Sequence, residues 1–381
     1  MSTAENAASA IRRSNARDCL MALREADGPL SVGDLAARTG LSRPTVEAVL
    51  QDLVGTVGPA PSALSGTAGR PARRFALDPA VATVAALDIG ARSVRCLVAD
   101  AGGRILARTG VPVDPDDVLG SLVRAVQESD ASPRALGVAV PGILASDGRV
   151  VQSLAAPALV GLDLAGELER RLGCPVVVEN DIKLAALAER HLGQAADSIV
   201  FVQIGHRISV AVIVGGTILQ GAHRLAGELG SQRGMRWTRS SVRGRLTWST
   251  GEDARALLER AAAGDAAAQQ EIEEFCAEIA PRLATVLLTV DPELVVVGGG
   301  LSRAGETLLD PLRRALRRLL MTEHAPAVVP ARLSSGGALI GALGLAFERG
   351  SDRIVGVPDV PAPWHRFPTS TPPTPSAKDH P

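Results

Sequence analysis

The sequence predicts an α/β protein in which a winged helix-turn-helix precedes two α/β lobes. Two short helical patterns joined by Thr39 and Gly40 predict the N-terminal unit, and buried strands alternating with helices from residue 84 onward predict the lobes. The chain has 381 residues, 46% of them hydrophobic, enough for two or three domains with separate cores. The predicted divisions are 1–80 for the winged helix-turn-helix, 81–195 for the first lobe, 196–335 for the second lobe, 336–350 packing back on the first lobe, and 351–381 as a proline-rich disordered tail.

The helix-turn-helix pattern occupies residues 31–54, behind a supporting helix predicted over 11–23. Ser31 is the predicted N-cap of a helix over 32–38, which Gly40 ends. Ser42 is the predicted N-cap of a second helix, with Pro44 in its first turn, where a missing N–H costs nothing. Apolar residues of this helix recur at i, i+3, i+4 and i+7, which predicts one buried face: Val46, Val49, Leu50 and Leu53.

The outer face of this second helix and the basic segment after it predict contact with DNA. A loop over 55–68, rich in Gly, Pro, Ser and Ala, precedes three arginines within residues 70–74 and a short strand that ends at Leu77. An arginine held between a glycine and a proline fits a narrow minor groove. An ordinary helical hairpin with a solvated basic loop is the alternative interpretation. The predicted DNA-contacting residues are Ser42, Arg43, Thr45, Gln51, Gly69, Arg70, Pro71 and Arg73.

Composition excludes several function classes. The net charge is −1, so affinity for DNA has to come from a local basic surface rather than from bulk charge. The most apolar long run, 199–218, is interrupted by His206 and Arg207, and no signal peptide is evident. We therefore expect a cytoplasmic protein that makes no contact with a membrane. The four cysteines are far apart and predict neither a zinc motif nor a disulfide framework: Cys19, Cys96, Cys174 and Cys276.

Regular patterns after residue 84 predict the elements of the two lobes. In the first lobe, strands are predicted at 84–88, 94–99, 104–111, 135–140 and 176–178, and helices at 118–128, 161–172 and 182–192. In the second, strands are predicted at 198–204, 209–214, 217–220, 294–297 and 328–333, and helices at 251–263, 266–290 (one or two), 305–320 and 336–348. Eight prolines among the 31 residues after Gly350 predict disorder there.

The order and spacing of several motifs resemble the ROK family, which joins sugar kinases and sugar-responsive repressors on one two-lobed, actin-like fold. The winged helix with Gly69, Arg70 and Pro71 resembles the repressor branch. The resemblance covers residues 11–348 and implies the actin-like fold for both lobes. The motifs that carry it are Asp88-Ile89-Gly90 with Asp100 and Gly103, the segment 178–181, Gly227-Glu228-Leu229-Gly230, and Asp291-Pro292-Glu293 followed by 295–300.

The resemblance implies a sugar site that this sequence keeps only in part. It implies ligand binding by Asn180, Asp181 and Glu228, with close backbone approach at Gly142. Asp181 stands where the kinases have their general base, and we predict that it is not catalytic. Helix capping is the alternative role for Asn180 and Asp181. The family's histidine is replaced by Ser231, and the interval from there to Gly251 contains no cysteine, so we predict no zinc and no other cofactor.

The two phosphate-binding turns implied by the resemblance are also altered. Gly90 is followed by Ala91 and Arg92, and Gly205 by His206 and Arg207, where small residues would leave the backbone open to phosphate. The glycines at 298–300 are retained, and we interpret them as a tight strand exit in preference to a nucleotide contact.

These observations predict a DNA-binding transcriptional regulator, a repressor, whose degenerate sugar-kinase-like core acts as a sensor or dimerisation domain. The expected partners are a double-stranded DNA operator and a second copy of the chain, in a homodimer or homotetramer. The expected effector is a sugar or an anionic metabolite, the latter bound by arginines of 233–245. Two alternatives stay open: a sugar kinase with a DNA-binding appendage, and a regulator that has lost sugar binding and answers to another metabolite or partner.

Overall fold

The computed structural model describes residues 3–60, 73–232, 234–242, 244–251, 254–322, 324–333 and 336–369. An α/β architecture with an N-terminal helix-turn-helix is confirmed. In the described part of the chain, no helix is both long and apolar enough to cross a lipid bilayer.

The N-terminal unit is three helices and a small antiparallel sheet. The caps predicted from sequence are present: the Ser31 hydroxyl accepts from the Asp34 backbone N–H at 3.1 Å, and Ser42 caps the third helix. A strand at residues 57–60 was not predicted from the sequence; it lies at the sheet edge, where Pro59 is tolerated. The elements are α1 Thr3–Glu25, β1 Leu30–Ser31, α2 Val32–Thr39, α3 Arg43–Asp52, β2 Val57–Ala60 and β3 Arg74–Leu77.

The first lobe is built on a five-stranded mixed sheet in the order β10-β7-β4-β5-β6. Strands β10, β7 and β4 are parallel to one another, and β4, β5 and β6 form an antiparallel meander. The elements are β4 Thr83–Ile89, β5 Ser93–Asp100, β6 Ile105–Pro112, α4 Val118–Gln127, β7 Ala135–Val140, β8 Ile143–Leu144, β9 Val150–Gln152, α5 Leu164–Leu172, β10 Val176–Asn180 and α6 Asp181–Leu192.

The second lobe repeats this plan in the order β13-β12-β11-β14-β15. Again an antiparallel meander precedes parallel pairing, here of β11 with β14 and of β14 with β15. Residues 266–290 form one helix with Pro281 inside it. The elements are β11 Ile199–Ile204, β12 Ile208–Val214, β13 Thr217–Ile218, α7 Arg255–Ala262, α8 Ala266–Val290, β14 Leu294–Gly298, α9 Glu306–Arg317 and β15 Ala327–Pro330.

Helix α10, Gly337–Arg349, follows the second lobe in sequence and packs on α6 and across β4 and β7 of the first lobe. Glycines make this approach possible, because a β-carbon at Gly341 would overlap the carbonyl oxygen of Leu184. One continuous apolar cluster runs from the N-terminal helices through α10 into the chain that follows.

The prediction of a disordered tail over 351–381 is wrong for the described residues 351–369. They form helix α11, Ser351–Val355, and a 3₁₀ turn, Trp364–Arg366. The many prolines led to the prediction of disorder. The few apolar side chains of this segment are nevertheless spaced so that they pack into the core. The buried residues are Ile354, Val355, Val357, Val360, Ala362, Trp364 and Phe367.

Replacing Phe367 with alanine tests this correction. Phe367 is 4% exposed and packs against Phe347 and Trp364, with ring centroids 5.7 and 5.5 Å apart. We expect Phe367→Ala to lower the free energy of unfolding by about 3–5 kcal/mol, measured by urea denaturation. Leu154→Ala, at a side chain that is 63% exposed, is the control and should change it by less than about 0.5 kcal/mol. Equal, small effects would mean that the segment is not packed.

Candidate functional site

Three parallel strands of the first lobe end at one edge of the sheet, and their last residues form the candidate ligand site. Asp88 is at the end of β4, Gly142 follows β7, and Asn180 ends β10. The crevice outside the carboxyl ends of parallel strands is where open α/β sheets bind ligands. Glu228, from the second lobe, contributes to the electrostatic environment of Asp181 and completes the group.

Both polar atoms of the Asn180 side chain make contacts within the protein. Its Oδ1 accepts from the backbone N–H groups of Ile182 and Lys183 at 2.9 and 3.0 Å, so it caps α6. Its Nδ2 donates to the Gly142 carbonyl at 2.9 Å. The close approach predicted at Gly142 is to the chain itself, because a β-carbon there would overlap the Gln152 carbonyl oxygen. The capping alternative is therefore confirmed for Asn180.

Asp181 lies in a strongly electronegative environment. Burial first, then the carboxylates of Asp88 and Glu228, raise the pKa of Asp181 to about 8. Asp88 is itself ion-paired with Arg95 across the β4–β5 hairpin, with Nε to Oδ2 at 3.1 Å. A carboxyl group that is half protonated near pH 8 can donate as well as accept a hydrogen bond, which suits a ligand hydroxyl.

A buried polar network beside the site was not predicted from the sequence. The carboxylate of Glu179, 5% exposed, accepts from Arg224 and from Gln220, both at 2.6 Å. The ammonium of Lys183, 3% exposed, donates to Gln220 Oε1 at 3.2 Å and to the Arg224 carbonyl at 3.1 Å. Since residues 179 and 183 belong to the first lobe and residues 220 and 224 to the second, the network joins the lobes beneath the ligand site.

Two features show that this network carries strain and burial cost. Arg224 has φ 57°, a left-handed conformation that favours glycine, and strain of this kind clusters at functional sites. Burial lowers the pKa of Lys183 and raises the pKa of Glu228. The attraction between the two charges opposes both shifts. The only sequence signal was Lys183 itself, a charge within the otherwise apolar face of α6.

The turn that would hold phosphate in the second lobe contacts the segment around residues 244–246, while His206 itself is exposed. The His206 carbonyl accepts from the Leu246 backbone N–H at 2.8 Å, and the Arg207 guanidinium lies against Gly244. Burial, and the charge of Arg245, lower the pKa of Arg207. Gly299 packs tightly on the Ile204 backbone, which supports the tight strand exit proposed for residues 298–300.

The segment 231–251, which replaces a cysteine-bearing loop, packs on helix α8. Trp237 is buried, and Trp248 lies 4.8 Å from the ring of Phe275. Arg239 is directed to Glu278 of α8 at 3.5 Å, away from the ligand site. No group of three or more potential metal-ligating side chains occurs within the described ranges.

The predicted DNA-contacting residues are only partly described. Arg43 and Gln51 are exposed on α3, and Thr45 is half-buried. The Ser42 hydroxyl is paired with the Thr45 hydroxyl at 2.8 Å as part of its cap. Arg73 is exposed, with its guanidinium 5.5 Å from the Phe75 ring centroid. Gly69, Arg70 and Pro71 lie outside the described residues, so contact with DNA stays a prediction for the whole set.

Sequence comparisons identify both parts of the chain. The profile described as "ROK family" matches residues 84–233 and 232–349, and the profile "IclR helix-turn-helix domain" matches residues 15–56. The chain is 29% identical over 283 residues to a bifunctional enzyme NanE/NanK of Brucella suis, covering 69% of this chain and 53% of that protein. It thus spans about half the length of these bifunctional relatives. It is 24% identical over 296 residues to an N-acetyl-D-glucosamine kinase of Yersinia enterocolitica, covering 67% and 96%.

Solved structures share the fold. A ROK family transcriptional regulator, a homologue of the E. coli MLC protein, matches with a TM-score of 0.69 and 22% identity over 91% of this chain and 98% of that one. A ROK family glucokinase from Streptomyces griseus, in complex with glucose and AMPPNP, matches with a TM-score of 0.59 and 25% identity over 69% and 99%. The regulator match extends over more of this chain than the glucokinase match does.

The raised pKa of Asp181 predicts how the stability of the protein changes with pH. Its pKa is about 8 in the folded protein against a reference value of 3.8, so the folded state holds a proton that the unfolded chain loses. Stability from this group therefore falls as pH rises from about 4 to 8. We expect Asp181→Asn to raise the melting temperature more at pH 8.5 than at pH 5, measured by differential scanning fluorimetry. The exposed Asp116→Asn is the control, and equal shifts at both pH values would contradict the assignment.

Proposed function

Since the chain belongs to the ROK family, we propose that it is a DNA-binding transcriptional regulator, a repressor, and not an enzyme. The observation that carries this proposal is a well-formed helix-turn-helix, with exposed Arg43 and Gln51 on its second helix, joined to a ROK domain. A second helix with polar residues outward is the element that enters the major groove in this class of protein. The wing at Gly69, Arg70 and Pro71 is proposed to contact the minor groove.

The altered turns argue against the sugar-kinase alternative. Phosphoryl transfer depends on groups that position and neutralise the phosphates. Here the His206 carbonyl accepts from the Leu246 backbone N–H, and the bulky side chains of His206 and Arg207 stand where small residues would leave the backbone open to phosphate. Asp181 retains the position of a general base, but a base without a phosphate site does not transfer a phosphoryl group.

The site favours a neutral polyhydroxyl effector over an anionic one. Asp88, Asp181 and Glu228 make it electronegative, and the charges of Asp88 and Glu228 add to the effect of burial in raising the pKa of Asp181. Arg239, which we expected among the residues that bind an anion, is engaged by Glu278. Because Asn180 is already occupied, Asp181 and Glu228 carry most of the remaining hydrogen-bonding capacity, and we expect weak binding of a simple hexose.

We further propose that two copies bind one operator, as a homodimer or homotetramer. A helix-turn-helix reads one half-site, and paired half-sites lie about one helical turn apart or a multiple of it. A ligand that favours one arrangement of the two lobes then changes the spacing of the paired helices.

DNA binding is tested with an operator selected from a random-sequence library. We expect Arg43→Ala and Arg70→Ala each to weaken specific binding by about 1–3 kcal/mol, measured by fluorescence anisotropy at fixed salt. Arg171→Ala, on an exposed side chain of α5, is the control and should bind as the unmodified protein does. Selection that yields no enriched sequence, or arginine variants that bind normally, would remove the helix-turn-helix from the proposed function.

The kinase alternative is tested by coupled assay of ADP release. With ATP, magnesium and a panel of glucose, N-acetylglucosamine and N-acetylmannosamine, we expect no sugar-dependent turnover above background. Kinases ordinarily turn over at about 1–100 per second. Turnover in that range that is abolished by Asp181→Ala would establish the alternative.

A further inference from the structure

The segment 351–369, called the strap below, lies between the DNA-binding unit and the ROK domain and contacts both. Its buried side chains share one apolar cluster with Leu20 and Leu23 of α1 and with Leu343 and Phe347 of α10. The strap therefore forms part of the core through which the two units meet.

On the side of the DNA-binding unit, the strap holds a buried arginine. Arg24, at the end of α1, is 8% exposed and donates from Nη1 to the Pro361 carbonyl at 2.6 Å. Arg366 donates back to the Arg24 carbonyl at 3.3 Å, and Thr56 Oγ1 donates to the Val355 carbonyl at 3.3 Å. Burial lowers the pKa of Arg24 to about 10, and its Nε has no hydrogen-bond partner among the described residues.

On the side of the ROK domain, the strap contacts the C-terminal end of helix α6, whose N-terminal end lies at the candidate ligand site. The Trp364 indole stacks on His191, with ring centroids 4.2 Å apart and planes within 3°, and its Nε1 donates to Glu348 at 3.1 Å. His191 is in the last turn of α6, whose first turn is capped by Asn180. Burial lowers the pKa of His191 to about 4, so the stacked ring is neutral near pH 7. Helix α6 has 12 residues and spans about 18 Å between the two ends.

The junction also has room for movement. A cavity of about 340 Å³ lies between α1, the β5–β6 turn and the strap, lined by Arg24, Asp27, Asp100, Arg104 and Arg366 among others. This space opens to solvent, so a small rotation of the DNA-binding unit against the first lobe meets less resistance there than it would in a close-packed interface.

We propose that the strap couples the ligand site to the DNA-binding unit. A displacement of α6 caused at its capped N-terminus moves His191, and the stack transmits that displacement through Trp364 to Arg24 and α1. The strap is thus a conformational device that sets the orientation of the recognition helix α3 relative to the first lobe. This inference concerns the regulation of the proposed DNA-binding function.

The test measures the orientation directly and needs neither DNA nor an effector. Spin labels are attached through Glu47→Cys on α3 and Arg171→Cys on α5, both exposed, while the four native cysteines are buried. The doubly labelled full chain is mixed with an excess of unlabelled chain, so that an assembly of copies carries one labelled pair, and electron–electron double resonance then gives the distance distribution between the two labels. We expect one narrow distribution for the labelled protein, at least twofold broader in Trp364→Ala, and restored in Trp364→Phe, which keeps a ring against His191.

A variant at the other end of α6 distinguishes coupling from a strap that only attaches the DNA-binding unit to the ROK domain. Asn180→Ala removes the cap without touching the strap, and coupling predicts a broadened or shifted distribution. Trp248→Ala, in the second lobe, is the control for loss of a tryptophan and should leave the distribution narrow. Circular dichroism establishes that each variant is folded. An unchanged distribution in folded Asn180→Ala, or broadening with Trp248→Ala equal to that with Trp364→Ala, would overturn the proposal, whatever the outcome of the DNA-binding experiment.

Discussion

The close approach of α10 to its neighbours is the constraint on which the rest of the structure depends. A β-carbon at Gly341 would overlap the Leu184 carbonyl of α6, one at Gly137 would overlap the Ala342 carbonyl, and one at Gly344 would overlap the Trp364 ring. Small residues thus seat α10 against α6, β7 and the strap at once. Van der Waals attraction falls steeply with small gaps, so this three-way contact holds only if all three glycines are kept. The position of α6, and with it the ligand site, follows from that contact.

Helix α6 connects every part of the molecule that the proposed regulation requires. Its N-terminus holds Asn180 and Asp181 at the site, and its middle binds the second lobe, where buried Glu189 accepts from the backbone N–H groups of Arg332 and Leu333 at 2.7 and 3.0 Å. Its last turn holds His191 against the strap. Between its capped ends the backbone hydrogen bonds of the helix are internal, so its two ends move together when the helix is displaced. Helix α6 therefore contacts the cleft, the second lobe and the strap, and links the three.

Local sequence patterns predicted the helices and strands well. They did not predict contacts between segments that are distant in the sequence. The caps at Ser31 and Ser42, and the strands and helices of both lobes, follow from spacings within a few residues. The order of residues 351–369 was missed because it depends on a groove of small residues on α10, not on the composition of the strap itself. The network of Glu179, Lys183 and Arg224 was missed for the same reason, since its members are up to 45 residues apart and meet only when the lobes fold together.

The electrostatics of the site bear on how a weak ligand acts as a switch. The sequence implied a ligand set of Asn180, Asp181 and Glu228, but the structure engages Asn180 internally and groups carboxylates around Asp181. Low affinity does not prevent regulation, because what matters is the ratio of affinities for two lobe arrangements and not either value alone. A tenfold preference shifts the equilibrium by about 1.4 kcal/mol. The Glu179–Arg224 pair joins the lobes beside the candidate ligand site, so moving the lobes apart there would separate buried Glu179 from half-buried Arg224. Under the proposed function, a ligand that bridges Asp181 and Glu228 would add to that pair, so few hydroxyl contacts would be enough to favour one arrangement of the lobes.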